Sequence, residues 1–351
     1  FYQIYSTSLQ SERAYDIWTD RYNLSDVYFL RNGDLYSLSL SNNSHSFIGS
    51  AGPSNQGENI LSAGKDTDNN GSFHFHAKIG DRLYFSNDDG ATWDDKGVLP
   101  SYTFSRNSFN GSYDNQNIAA IGGIDLYRTL NNGNNWEMIN NWWEYYSSPE
   151  SKLHADLPEL NYVIDPESGD EFQLICTDGG IYISYDHFEN VENLSLSGLG
   201  VSQYYSTYTK RTFPYNVYAG SQDQGFQRSI FPGEGVFDFV QSISGDYGHL
   251  SSGDEGETIW CNYPGFTLYY GNPVTGSGSL SLDFPGSGHL WLAPLIEDPY
   301  NPNQAYLAGG GLAGGNHLFH LTAGSGSITY TEESYSFSGT ISAMGLSLIH
   351  I

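Results

Sequence analysis

An all-β fold, a seven-bladed propeller of four-stranded antiparallel blades, is predicted by three features of the 351-residue chain. Helix formers are scarce, while 28 Tyr, 19 Phe and 41 Gly accompany turns rich in Asn, Asp and Ser, the composition of many short strands. A single hairpin pattern recurs: a short strand, a Gly/Asp turn, and a returning strand with an aromatic near its start. Seven copies follow one another at a spacing of roughly 45–50 residues, the length of a four-stranded blade. A β-sandwich is the rival arrangement, but it does not require so regular a turn–aromatic signature.

The first copy is Asp26 to Leu30, turn Asn32-Gly33, and Asp34 to Ser37. The second is Phe73 to His76, turn Gly80-Asp81, and Leu83 to Phe85; the third is Ile118 to Ile121, turn Gly122-Gly123, and Asp125 to Arg128. The fourth runs from Phe172 to Cys176 through Thr177-Asp178-Gly179-Gly180 to Ile181–Ser184, and the fifth from Asn216 to Gly220 through Gln222–Gly225 to Phe226–Ser229. The sixth is Thr258 to Cys261, turn Tyr263-Pro264-Gly265, and Phe266 to Tyr270. The seventh is Ala305 to Ala308, a Gly-rich loop from Gly309 to Asn316, and His317 to His320. Gly339 to Met344 reads as the innermost strand of a further unit, either closing the first blade or opening a second propeller.

After the second copy comes Ser86-Asn87-Asp88-Asp89-Gly90-Ala91-Thr92-Trp93. The Asp88 carboxylate can accept backbone N–H groups across a tight turn, Gly90 supplies a positive φ, and Trp93 folds its apolar face back over the hairpin. Thr129 to Trp136 repeats the pattern with Asn131 for the Asp, Asn135 for the last Thr, and Gly133 and Trp136 retained. Ser184 to Phe188 has lost the Gly and the Trp.

The pattern Ser-x-Asp-x-Gly-x-Thr-Trp resembles the Asp-box (bacterial neuraminidase repeat) of sialidases, sortilin and xyloglucan-hydrolase-type propellers. The resemblance implies that Ser86, Asp88, Gly90, Trp93, Thr129, Asn131, Gly133 and Trp136 are structural and lie away from the ligand face. Further along, Leu153-His154-Ala155-Asp156, Val163 to Pro166, Thr177 to Tyr182 and Val217 to Gly225 occur in order. Together they are similar to secreted Asp-box propellers of the sortilin/xyloglucanase-like superfamily, over about residues 80–230. Members of that superfamily commonly carry His-x-Asp-x-His; here Pro158 replaces the second His, which weakens a metal or catalytic reading of that stretch. A sialidase is not implied, because the N-terminal Arg-Ile-Pro motif of its arginine triad is missing.

Charge and composition narrow the partners. Lys+Arg is 13 against Asp+Glu 40, a net charge of −27 that opposes nucleic acid and anionic membranes. No run of about 18 apolar residues is present, so no membrane insertion is expected. Cys176 and Cys261 could pair between neighbouring blades or remain thiols. Residues 1–345 read as one propeller, whole or truncated at its ends, and 346–351 as a non-native or truncated tail. With neither an initiator Met nor a signal peptide, the N-terminus is expected to be processed or missing, and flanking domains of a larger extracellular or cell-surface protein are expected.

Strand alternation sorts the loops into two ends. If the box joins the third and fourth strands, the turns between second and third strands share the opposite end with the connections between blades. Asp34, Asp81, Asp125, Asp178, Asp223 and the Gly309–Asn316 loop belong there. Asp and Gly also suit tight hairpins for purely local reasons. The setting of Asp178 resembles the turn that bears a catalytic carboxylate in xyloglucanase-type enzymes, and Asp223 is its candidate partner, since glycoside hydrolysis needs two facing carboxyls. In those enzymes the two acids come from two propellers, whereas this chain holds about one.

Aromatic side chains cluster at Trp136, Trp142, Trp143, Tyr145 and Tyr146, with Tyr204 and Tyr205 further on. Trp142, Trp143, Tyr145, His154, Asp156 and Gln222 are the candidate ligand contacts. His74 and His76 share a strand face and could meet a metal with Asp66 or Asp68, though paired blade-wall histidines are the commoner arrangement. Asp66 to Gly71 has the alternating oxygens of a calcium loop without its closing Glu, so no cofactor is expected apart from that calcium option. The leading expectation is a recognition module for polysaccharide or extracellular protein on the inter-blade end; the alternative is a xyloglucanase-like endo-β-glucanase.

Overall fold

The structure is a computed structural model and describes residues 14–20, 22–53, 59–65, 71–100, 108–199, 202–230, 238–310 and 315–346. Its sheets are the seven four-stranded antiparallel blades of a β-propeller, as the repeats predict. The chain divides into two compact units, Phe1–Val201 and Ser202–Ile351.

The first unit holds four blades. Blade one is β1 (Ala14–Asp20), β2 (Asn23–Arg31), β3 (Asp34–Ser39) and β4 (Ser44–Ser50). Blade two is β5 (Asn59–Gly64), β6 (His74–Ile79), β7 (Arg82–Ser86) and β8 (Asp94–Val98). Blade three is β9 (Phe109–Gly111), β10 (Ala119–Gly122), β11 (Leu126–Thr129) and β12 (Glu137–Met138). Blade four is β13 (Glu159–Ile164), β14 (Glu171–Thr177), β15 (Gly180–Ser184) and β16 (Glu192–Asn193).

Three blades make up the second unit. Blade five is β17 (Tyr204–Thr209), β18 (Val217–Ser221), β19 (Gly225–Ile230) and β20 (Asp238–Ile243). Blade six is β21 (Gly248–Ser251), β22 (Ile259–Tyr263), β23 (Phe266–Asn272) and β24 (Ser277–Asp283). Blade seven is β25 (Leu295–Glu297), β26 (Gln304–Ala308), β27 (Leu318–Ala323) and β28 (Ile328–Glu332). Every hairpin recognised in the sequence is the central pair of its blade.

Within each unit the first strands of successive blades lie against one another, and the core is layered between blades. Strand β10 shows how the sequence builds those layers. Successive side chains point to opposite faces of a strand. Accordingly, Ala119 and Ile121 join Leu83, Leu99 and Phe109 on one side, while Ile118 and Ala120 join Leu160, Tyr162, Ile175 and Tyr182 on the other. A blade packed on both faces therefore reads as continuously apolar rather than alternating. In the second unit, Tyr218, Phe226, Ile259 and Cys261 share one layer and Trp260, Ala305, Leu307 and Phe319 the next.

The two loop ends separate as expected. In the first unit the turn between second and third strands bonds to the connection leaving the blade: Ala51 N–H donates to Gly33 O (2.8 Å), Leu99 to Asp81 O (2.8 Å) and Leu157 to Gly123 O (2.8 Å). At the other end the box turns bond to loops between first and second strands, with Asp89 N–H on Phe73 O (3.1 Å) and Asn132 N–H on Asn117 O (3.0 Å).

Each box turn is closed by its short polar side chains. Asp88 accepts from Thr92 N–H (2.9 Å), Thr92 Oγ1 (2.6 Å) and Ser86 Oγ (2.8 Å), while Gly90 N–H donates to Ser86 Oγ (3.1 Å). Trp93 Nε1 donates to Gly90 O at 2.8 Å. Asn131 reproduces the first bond through Asn135 N–H (2.9 Å), and Gly133 N–H donates to Thr129 Oγ1 (2.9 Å). The turn at Ser184 keeps the same bonds although its sequence has drifted: Asn190 N–H and Nδ2 donate to Asp186 (2.9 and 2.7 Å), and Phe188 N–H donates to Ser184 Oγ (2.9 Å). Phe188 occupies the glycine position at φ +70° and buries its ring in the layer that contains Leu126.

A fourth such turn escaped the sequence reading. Ser252-Gly253-Asp254-Glu255-Gly256-Glu257-Thr258 joins β21 to β22, with Thr258 N–H and Oγ1 on Asp254 (both 2.9 Å) and Gly256 N–H on Ser252 Oγ (2.8 Å). It lacks the Trp and sits between first and second strands, away from the place where the motif was sought.

Two expectations are corrected or resolved. Gly339 to Met344 forms no strand: blade seven is complete at β28, and Ile341 N–H bonds instead to Gly315 O (3.0 Å) of the Gly-rich loop. Cys176, in blade four, and Cys261, in blade six, are free thiols. No helix among the described residues is long and apolar enough to cross a membrane. Of residues 346–351, only Leu346 is described.

Candidate functional site

Three loops of the first unit converge at the inter-blade end: the Gly122–Asp125 turn of blade three, the connection from Asn140 to Pro158, and the Thr177–Gly180 turn of blade four. Backbone bonds knit them together. Asp156 N–H donates to Ile124 O and Asp178 N–H to Asp156 O (both 3.2 Å). Asp125 Oδ1 accepts the N–H of Trp142 at 2.9 Å, fixing the start of a 3₁₀ turn over Trp142–Ser147. Glu144 accepts from Asn141 N–H (3.1 Å) and pairs with Lys152 Nζ (3.1 Å). These bonds hold the aromatic run in place without a long helix.

The run splits into an outer and an inner layer. Trp142, Trp143 and Tyr146 are exposed, at 37%, 56% and 48%. Trp142 stands nearly perpendicular to both neighbours, at 82° to Trp143 and 77° to Tyr146, with ring centres 5.9 Å apart in each pair. Tyr145 is fully buried, with its ring edge-on to His154 at 4.6 Å. His154 is itself buried, and its Nδ1 lies 3.0 Å from Ala155 O. Tyr145 and His154 thus support the exposed rings from beneath and do not offer a face to a ligand. Gly179 permits the close approach of the blade-four turn, since a Cβ there would fall 2.5 Å from His154 Cβ.

Carboxyl groups lie on the same three loops. Asp125 and Asp156 are half-buried, and burial raises both above the usual carboxylate range; the Trp142 N–H opposes the shift at Asp125, and His154 opposes it at Asp156. Asp156 also takes the left-handed backbone conformation, φ +62°, which Asp tolerates better than most side chains. Asp178 is exposed at the tip of its turn. The rim therefore offers stacking faces beside acidic hydrogen-bond acceptors.

The remaining candidates lie elsewhere. Asp223 and Gln222 belong to the second unit, in the β18–β19 turn, where Asp223 N–H donates to Asp246 Oδ1 (3.2 Å) and Gln222 N–H to Gln203 O (2.9 Å). Asp178 and Asp223 are thus carried by different units. Asp81 occupies its predicted turn in blade two, and Asp34 opens β3 immediately after the Asn32-Gly33 turn of blade one. His74 and His76 are both buried on β6, with rings 5.6 Å apart, and His74 Nε2 lies 3.0 Å from Ser112 O. Asp66 and Asp68 lie outside the described residues, and no group of three or more His, Cys, Asp or Glu suited to a metal occurs among those described. Sequence reasoning missed Asp125 as the anchor of Trp142; its signal was a turn Asp set before an aromatic run.

No protein-family model matches the chain, and no curated protein is detectably similar to it. Among solved structures it is similar to a GH74 enzyme of Niastella koreensis, at 14% identity and TM-score 0.35, covering 90% of this chain and 53% of that one. The GH74 xyloglucanase from Xanthomonas campestris matches at 12% identity and TM-score 0.35, covering 90% and 54%. YCF48 from Cyanidioschyzon merolae matches at 12% identity and TM-score 0.34, covering 91% and 95%. The chain spans about half the length of the two GH74 proteins.

Proposed function

We propose that the chain is a carbohydrate-recognition module of an extracellular or cell-surface protein, binding through the inter-blade rim of its first unit. One observation carries the reading: adjacent exposed indoles, Trp142 and Trp143, are held in a set orientation by a loop anchored at Asp125. Contiguous exposed aromatic rings form an apolar patch of the kind that marks binding sites, and sugar rings present C–H faces to aromatic planes while neighbouring carboxylates accept their hydroxyls. The box turns support an Asp-box propeller of the sortilin/xyloglucanase-like kind, with binding at the end away from those turns. Calorimetric titration of the whole chain with neutral oligosaccharides and polysaccharides tests this: binding of at least one supports it, and no detectable binding of any contradicts it.

A hydrolase is the second reading, favoured by one feature. Asp125, Asp156 and Asp178 lie on the three loops that meet at this rim, and glycoside hydrolysis needs two carboxyls facing one bond. Reducing-end release from β-glucans that is abolished in Asp178→Asn supports it; no release from the unaltered chain contradicts it.

A further inference from the structure

Resting on the reading of this rim as a saccharide-binding surface, we infer that it receives the end of a neutral saccharide chain, not the interior of a chain and not an acidic polymer. The first argument is geometric. A polysaccharide lying along a surface offers the faces of successive rings, so a surface that reads its length needs aromatic planes set side by side. Here Trp142 is turned 82° from Trp143 and 77° from Tyr146, with 5.9 Å between centres in both pairs. That arrangement is a corner. A sugar ring resting on one wall meets the other with its edge, and the second wall blocks the path that a continuing chain would take.

The second argument is electrostatic. The three loops carry Asp125, Glu144, Glu150, Asp156 and Asp178, whereas Lys152 is their only Lys or Arg and is already paired with Glu144 at 3.1 Å. A uronate entering the corner finds no free cation among the described residues of these loops. It would also meet the field of the Asp125 carboxylate, which holds the Trp142 N–H at 2.9 Å. Like charges placed opposite one another exclude a ligand more strongly than a missing contact does. The net charge of −27 adds long-range repulsion of the same sign.

Calorimetric titration of the whole chain tests this with neutral oligosaccharides of gluco, galacto and manno configuration, and with oligogalacturonate of matched lengths. At least one neutral series is expected to bind with an affinity that changes by less than about threefold between four and six sugar units. Oligogalacturonate is expected to bind at least about tenfold more weakly at low salt, a gap that narrows as salt screens the carboxylates. Asp178→Asn is expected to improve oligogalacturonate binding at low salt. Neutral affinity that climbs about tenfold with each added pair of units, acidic oligomers that bind as well as neutral ones, or an Asp178→Asn protein with unchanged acid exclusion would overturn the inference while leaving the saccharide surface intact. If no saccharide binds, or Trp143→Ala binds as well as the unaltered chain, the surface reading itself falls and the inference with it.

Discussion

Gly90 of blade two rests directly on Leu35 of blade one: a Cβ added at Gly90 would lie 2.4 Å from Leu35 Cδ2. Gly133 of blade three meets Leu83 of blade two in the same way, at 2.5 Å. Leu35 and Leu83 occupy matching places on the third strands, so each box turn serves as the contact by which one blade seats on the blade before it. Gly90→Ala meets both a fully buried leucine and a backbone held at φ +85°. The strain and overpacking together should cost about 2–4 kcal/mol, read as a lowered urea midpoint. An unchanged midpoint would show that the layer yields more readily than its packing implies.

Phe188 fills the equivalent position in blade four with a buried aromatic ring at φ +70°. Truncating it opens a cavity beside Leu126, a loss of about 3–5 kcal/mol. Alanine keeps the backbone penalty that glycine removes, about 1 kcal/mol or more. Phe188→Gly should therefore be more stable than Phe188→Ala, the reverse of the order seen in ordinary strands, and equilibrium unfolding of the two variants decides it.

Asp254 ties its turn to both the N–H and the hydroxyl of Thr258. Asp254→Ala leaves those donors without their acceptor and should destabilise the second unit by about 1–3 kcal/mol. Faster hydrogen exchange at Thr258, with little change at Thr92 in the first unit, is the expected signature. Equal exchange in the variant and the unaltered chain would remove the turn's structural role.

The buried imidazole of His76 is pushed down to about 3. Burial is the main cause; His74 and Lys96 act in the same direction, and a backbone bond with Gln116 opposes them. Between about pH 6.5 and 3 the unfolded chain binds a proton at this site that the folded chain refuses. Its contribution to stability therefore falls as pH drops through that window, by up to about 1.4 kcal/mol per pH unit. His76→Leu should flatten the decline in urea midpoint between pH 6.5 and 4.5. A decline as steep as that of the unaltered chain would mean that His76 is protonated in the fold.

The central hairpins were legible in the sequence because their turns announce themselves: Asn32-Gly33 and Gly122-Gly123 are short, and a Leu-Tyr pair, Leu35-Tyr36 and Leu126-Tyr127, follows each within a few residues. Edge strands β12 and β16 were not, being two residues long and set by pairing with β11 and β15 rather than by a pattern of their own. Gly339 to Met344 alternates like a strand, but alternation cannot say whether a partner edge is available. At the rim, the sequence placed the aromatic run and the turn aspartates on one end. It could not tell Trp143 from Tyr145, because the difference lies in what packs beneath: His154, further along the same connection and linked to it by no periodicity, lies under Tyr145. The turn at Ser252 was readable letter by letter and was passed over for want of its tryptophan.

The central claim is that the exposed indole corner at Trp142 and Trp143 is what the chain uses to hold its ligand. Calorimetry of Trp143→Ala against the unaltered chain, with a neutral oligosaccharide that the latter binds, tests it most directly. Stripping a stacking face at a binding centre typically costs about 2 kcal/mol. An affinity weaker by about thirtyfold, with an unchanged melting temperature, is the predicted result. Equal affinity in the two proteins would contradict it.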